Sequence, residues 1–279
     1  MSTRSRFGRD YIETELRTIA DQLETSVTAY LVGGGAMSLR NLKDTTKDID
    51  LVVTSEVELR RLMGTLDDLG YDEVTDLGAE YDRLGARHCV RNDDGCQFDV
   101  FNRQIADKLV FSDDMAERSD DFLPTQYFTV GLVALEDIFL FKAVAERPDD
   151  IEDMATLVQT RLDFDIIEAE IAEQVDLLGG ERFVTIISES LERLDQNEGI
   201  QTPLDDVVPE YYERYMDGYE LLMHLNEETS KPVSELAAEV GVSEEEIERR
   251  FEYLEQFGFA ERTDGGLRDT GIRDDFKRS

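Results

Sequence analysis

Two aspartates stand one residue apart in Lys47-Asp48-Ile49-Asp50-Leu51-Val52-Val53, and three glycines, Gly33, Gly34 and Gly35, precede them by a short loop. In a β-strand alternate side chains share a face, so Asp48 and Asp50 present two carboxylates together, a donor pair suited to hard cations. The apolar run Leu51-Val52-Val53 supplies the buried strand that holds them rigid. Upstream, Val27 to Val32 has the pattern of another strand, and the glycines after it let backbone N–H groups approach a phosphate without interference from a Cβ. A helix expected over Ala36 to Leu42 aims its N-terminus at the same anion. Together these features point to phosphoryl transfer on a nucleotide. A third acid, Asp99, lies inside the apolar run Gln97-Phe98-Asp99-Val100-Phe101. Burying an unpaired carboxylate costs several kcal/mol, so Asp99 needs a partner, and a metal held by Asp48 and Asp50 would serve.

The elements around these residues alternate. Up to about residue 110 the pattern is an amphipathic helix (Tyr11 to Leu23), a strand, the glycine turn, a helix, the Asp-x-Asp strand, and a helix around Val57 to Leu69, which is α/β order. His88-Cys89-Val90 and the Asp99 run, joined by Asp93-Asp94-Gly95, form an expected antiparallel hairpin at the end of the sheet. From about Leu135 to Leu194 the spacing is helical, with Pro148 ending one helix and opening the next. Asp195 to Glu210, with Gly199, Pro203 and Pro209, is the expected linker. After it come helices over Tyr211 to Leu225, Val233 to Val240 and Glu244 to Phe257, then a hairpin from Phe259 to Leu267 turning at Gly265-Gly266. A short helix, a Gly241 turn and a longer helix opened by the Ser243-Glu246 capping box is helix-turn-helix spacing, with the hairpin as its wing.

Composition bounds the rest. The 279 residues carry 65 acidic and 29 basic side chains, a net charge of −36, spread along the whole chain. That surface resembles proteins of salt-saturated cytoplasm, where a Debye length of about 3 Å screens self-repulsion and weakens the usual charge argument about partners. Two cysteines, Cys89 and Cys96, are too few for a disulfide framework and fit a reduced, cytoplasmic setting. Met1 to Asp10 has no apolar stretch behind it, and no run approaches the length of a membrane span, so neither signal peptide nor membrane partner is expected. His88 and His224 are the only histidines and have no companions at ligand spacing, which argues against zinc. The chain has no Gly-x-x-x-x-Gly-Lys-Ser/Thr phosphate loop.

Gly33-Gly34, then Asp48-Ile49-Asp50, then a lone Asp99 in an apolar strand resembles the DNA polymerase β-like nucleotidyltransferase superfamily, whose pattern is Gly-Gly or Gly-Ser, Asp-x-Asp and a third acid. The stretch from Leu135-Glu136-Asp137-Ile138 through Lys142, Arg147, Asp150 and Asp153 further resembles its stand-alone branch, which includes toxin-type enzymes of phage-defence and toxin–antitoxin systems. The resemblance implies an α+β fold. A nucleotidyltransferase mixed sheet flanked by helices would span residues 1–134, a helical region packing on it 135–200, and the winged helix 211–270. It implies Asp48, Asp50 and Asp99 as catalytic residues and ligands of two Mg²⁺ ions, with a nucleoside triphosphate as substrate. Gly33, Gly34, Gly35, Lys47 and Lys142 are the implied nucleotide contacts, with Lys43 and Arg40 nearby; Asp149 departs from the branch by standing where a basic residue is common.

The acceptor that the resemblance implies is a hydroxyl on RNA, protein or a small molecule. The alternative is a non-catalytic nucleotide-binding scaffold that uses its winged helix for DNA or protein contact. From Tyr211 to Ser279 there are nine basic and eighteen acidic residues, leaving −27 in the first 210, so the last section is no more basic than the remainder. A DNA reader should be enriched in basic groups, so DNA binding is disfavoured against protein contact, a homodimer included.

Overall fold

β2 (Asp48–Val53) is buried at every position, which requires a strand inside the sheet with both faces covered. The structure is a computed structural model and describes residues 5–74, 88–105, 108–145 and 147–272. The first four residues of the expected catalytic domain thus lie outside the described residues. β2 runs antiparallel to β1 (Val27–Val32) and parallel to β5 (Gln97–Asn102). With β3 (Asp72–Glu73), β4 (His88–Arg91), β8 (Asp120–Pro124) and β9 (Phe128–Leu132) they make one mixed seven-stranded sheet in the order β3-β4-β5-β2-β1-β9-β8. A small separate ribbon pairs β6 (Gln104–Ile105) with β7 (Leu109–Val110).

Helices attach to this sheet through periodic apolar faces. α1 (Arg9–Gln22) buries Ile12, Leu16 and Ile19, one stripe at helical spacing. α2 (Gly33–Leu39) joins β1 to β2, and α3 (Glu56–Asp68) starts at Ser55, whose side chain accepts from the Val57 N–H at 3.3 Å. α4 (Asp113–Arg118) precedes β8. α5 (Leu135–Ala145) and α6 (Pro148–Val158) follow β9, with the break at Pro148 where its ring demands one. α5 is apolar nearly all round, so it is a core helix, with Ile138 to Val144 buried. α7 (Phe164–Leu178) and α8 (Arg182–Glu198) complete the helical stretch.

Two expectations are corrected, and two strands are additional to them. The helix expected over Ala36 to Leu42 spans Gly33–Leu39, so the glycines form its first turn rather than a loop before it. The expected linker from Asp195 to Glu210 is mostly helix: α8 runs to Glu198, and α9 (Leu204–His224) carries Pro209 inside it. The turn is only residues 199–203, with Gly199 at φ 67° and the Asp205 carboxylate accepting from the Thr202 N–H (2.6 Å) and Oγ (3.0 Å). β8 and β9 were not foreseen at all. Chain contacts divide the molecule into two compact units, Met1–Gln174 with Arg193–Ile200, and Val175–Glu192 with Gln201–Ser279. The chain crosses between the units within α7, within α8 and again at residues 200–201, the last inside the segment whose glycine and prolines suggested a boundary.

In the second unit α9 is followed by α10 (Val233–Val240), α11 (Glu244–Gln256) and a hairpin of β10 (Ala260–Thr263) and β11 (Gly266–Asp269). Gly241, at φ 83°, turns α10 into α11, and Ser243 Oγ accepts from the Glu246 N–H at 3.1 Å. Leu221, Leu222, Leu236, Ile247, Phe251 and Leu267 share its core. Lys231 bridges to Leu267 through backbone bonds of 2.9 and 2.8 Å, lengthening the hairpin's pairing. No described helix is long and apolar enough to cross a membrane.

Candidate active site

The three sequence-singled acids come together. In the parallel pair β2–β5, Asp50 and Asp99 are direct register partners, while β1 puts Val32 opposite Asp50 and β4 puts Cys89 opposite Asp99. Val32, Asp50, Asp99 and Cys89 thus form one row across four strands, with Asp48 two residues along β2 on the same face as Asp50. Asp48 and Asp50 are each 6% exposed and Asp99 is 0% exposed.

Like charges this deep cannot all ionise at ordinary values. Burial, then the charges of Asp48 and Asp99, holds Asp50 well above the usual carboxylate range, while Arg147 and Lys142 pull it down. Asp99 is pushed up to about 6, by burial first and Asp48 second, against hydrogen bonds from Gln97 and Cys89 and the charge of Arg147. Gln97 Nε2 donates to Asp99 Oδ1 at 2.6 Å, and the amide is oriented by Arg91, which donates to its Oε1 at 2.6 Å. The other oxygen, Asp99 Oδ2, is buried with no hydrogen-bond partner among the described residues. Thr46 Oγ1 lies 3.5 Å from Asp48 Oδ1.

Among the described residues, no three His, Cys, Asp or Glu side chains form a ready-made metal cage. The donor set nevertheless fits a hard divalent cation. It offers oxygen ligands only, a buried Oδ2 lacking any partner, and mutual repulsion that a cation would relieve.

The glycines also have a local packing reason. Gly33 has φ 62°, and a Cβ there would sit 2.4 Å from Asp50 Oδ2; at Gly34 it would meet Thr46 Oγ1 at 2.7 Å, and at Gly35 Leu31 Cδ1 at 3.3 Å. Each missing Cβ therefore makes room for the protein's own side chains, letting the first turn of α2 close onto β2 and the acids.

The sequence-singled lysines are committed to carboxylates. Lys142 Nζ is buried 2.6 Å from Asp150 Oδ1 and 2.8 Å from Asp153 Oδ2. Burial opposes its charge, but Asp150 and Asp153 more than compensate and hold its pKa above the ordinary value. Lys43 Nζ reaches the same Asp153 at 2.6 Å. Lys47 pairs in the open with Asp149 at 3.3 Å, and this hydrogen bond holds Asp149 low. Arg40 is drawn away to the C-terminal end of β9, donating to the carbonyls of Leu132 (3.1 Å) and Val133 (2.8 Å) and to Asp120 (3.0 Å).

Two contributors to the site were given no role by the sequence: Gln97, which was not singled out, and Arg147, which was named only within the resemblance to the stand-alone branch. Gln97 shares a strand face with Asp99 at a separation of two, a signal that period-2 alternation could have revealed. Arg147, at the N-cap of α6, brings Nη1 to 4.0 Å from Asp48 Oδ2, and no sequence pattern announces that approach.

A family model described as a nucleotidyltransferase of unknown function, DUF6036, matches residues 11–183, more than half of the chain and all of the residues above. Among solved structures, the chain is similar to that of a provisionally assigned nucleotidyltransferase from H. pylori, at 16% identity and a TM-score of 0.36, covering 88% of this chain and 97% of that one. No curated protein matches.

Proposed function

Since the chain belongs to the DUF6036 nucleotidyltransferase family, we propose that it moves a nucleoside monophosphate from a nucleoside triphosphate to an acceptor hydroxyl, with pyrophosphate leaving. The observation that most supports this reading is the pairing of Asp50 with Asp99 in register, beside Asp48, with one buried carboxylate oxygen unsatisfied.

Asp48 and Asp50 would hold divalent cations through one strand face, and Asp99 would complete the set from β5. Bound there, two Mg²⁺ ions would supply Lewis-acid activation of the hydroxyl and neutralise charge at the α-phosphorus and leaving group. Asp99 Oδ2, buried beside Asp48 and Asp50, is the carboxylate oxygen that takes the acceptor's proton. Gly33 fixes the turn that brings backbone N–H groups of Gly33 to Gly35 beside the acids, where they receive phosphate oxygens. Lys47, exposed and held only by a surface pair, is available to the triphosphate; Lys142, with two carboxylates on it, acts by rigidifying Asp150 and Asp153.

The acceptor proposed is a hydroxyl on RNA, protein or a small molecule, and the proposed setting is the cytoplasm. For the second unit we propose a winged helix used for protein contact, including contact with a second copy. Its helix–turn–helix order and bridged hairpin support the winged-helix reading, and charge supports the partner. Arg249 pairs with Asp217 (2.5 Å) and Glu246 (2.6 Å), and Arg250 with Asp217 (2.9 Å), Glu220 (2.6 Å) and Glu246 (2.8 Å), so both basic groups of α11 stand among carboxylates that a DNA phosphate would have to displace. The catalytic reading is tested by transfer of an α-phosphate label from nucleoside triphosphates, which Asp48→Ala should abolish.

A further inference from the structure

Arg147 and Lys142 both lean on the carboxylate cluster, but they are held in opposite ways. Lys142 is locked, with short contacts to two buried aspartates. Among the described residues, the hydrogen bonds that hold Arg147 are made by its backbone. Its N–H donates to Asp150 Oδ2 at 3.2 Å, Asp150 Oδ1 is in turn fixed by Lys142, and Pro148 sets the first turn of α6 behind it. Beyond that anchor the side chain is 31% exposed. Its Nη1 stands 4.0 Å from Asp48 Oδ2, well beyond the roughly 2.8 Å of a hydrogen-bonded guanidinium–carboxylate pair. Its Nε is buried without a hydrogen-bond partner among the described residues. The guanidinium thus feels the charge of Asp50, Asp48 and Asp99 without a hydrogen bond to Asp48, and one donor is left unspent.

We propose that Arg147 is an exchangeable counter-ion of the Asp48–Asp50–Asp99 cluster: it neutralises the carboxylates in the metal-free protein, gives them up when a divalent cation binds, and turns its unspent donors to the triphosphate. The inference rests on the nucleotidyltransferase reading of the site. It gives to Arg147 the triphosphate contact that the sequence assigned to Lys142, whose ammonium is already occupied. A loosely held guanidinium is suited to the exchange because displacing it sacrifices no short hydrogen bond, and its planar fork matches phosphate oxygens. The acceptor of the Nε–H is then a phosphate oxygen, which satisfies a donor now buried and unpaired.

The two halves predict opposite changes on removing the charge. Mn²⁺ alone, and then a non-transferable α,β-methylene nucleoside triphosphate at saturating Mn²⁺, are titrated calorimetrically into the full-length wild type, Arg147→Gln and Arg147→Lys. Arg147→Gln should bind Mn²⁺ tighter by at least about fivefold, because a competing charge some 4 Å away is gone, and bind the nucleotide weaker by about tenfold. Arg147→Lys, which keeps the charge but not the fork, should leave Mn²⁺ affinity near wild type and weaken the nucleotide alone. Thermal melts confirm that each variant is folded. Weaker Mn²⁺ binding in Arg147→Gln, or unchanged affinity for both ligands, overturns the counter-ion role while leaving the nucleotidyltransferase reading intact. Failure of the wild type itself to bind Mn²⁺ or nucleotide overturns that reading and the inference with it.

Discussion

At the scale of single residues, the site is a cluster of carboxylates that the fold keeps close at a cost. Asp99 shows the cost most plainly, being fully buried, with one oxygen satisfied by Gln97 and the other by nothing. An acid whose folded pKa is raised binds its proton more tightly folded than unfolded. Its contribution to stability is therefore present at low pH and lost as pH rises through the folded value, here about 6. In chelator-treated protein, replacing Asp99 by Asn removes that loss. The melting temperature of Asp99→Asn minus that of the wild type should grow between pH 5 and pH 8, by about 3 °C or more. A difference that does not change with pH would mean that the cluster carries no such strain.

At the scale of elements, α5 and α6 are clamped by the Lys142–Asp150–Asp153 group, which spans the break at Pro148 and fixes the N-cap that carries Arg147. Removing one partner of a buried pair leaves the others charged and unpaired. Lys142→Met should therefore lower stability in urea unfolding by about 3 kcal/mol, softened from a larger loss because Lys43 still holds Asp153. A loss of about 1 kcal/mol or less would reduce the clamp to the worth of a surface pair. The clamp also shows where sequence reading stops. β1, β2 and β5 were legible because their residues carry strand periodicity or unbroken apolar runs, and the break at Pro148 because proline forbids continuation. Asp48, Asp50 and Asp99 were legible as a set because acids inside such runs are costly without a purpose. β8 and β9 were missed although Phe128-Thr129-Val130-Gly131-Leu132 has strand chemistry, since pairing β9 in parallel beside β1 is a contact across about a hundred residues. The partners of Lys142 lie across a helix break, and the approach of Arg147 to Asp48 depends on how α6 folds back, so neither follows from spacing.

At the scale of the whole molecule, the net charge of −36 sets the conditions under which the fold is stable. Charges of one sign spread along the chain repel in the compact state, and salt screens that repulsion over about 8 Å at physiological strength but about 3 Å at molar strength. The melting temperature should rise steadily with KCl from tenths molar to several molar; a flat or falling curve would contradict the electrostatic account. The same surface hides any basic groove for an acceptor, which is why substrate identity was not legible from composition. The central claim is that Asp48, Asp50 and Asp99 support nucleotidyl transfer. The most direct measurement incubates the full chain, in molar KCl with Mg²⁺, with each nucleoside triphosphate labelled at the α-phosphate and with total host RNA or protein, beside the Asp48→Ala/Asp50→Ala double variant. Label should enter one acceptor class with the wild type and vanish with the double variant. Label equal in both, or absent from both while the wild type is shown to be folded, would contradict the claim and leave a nucleotide-binding scaffold as the reading of this fold.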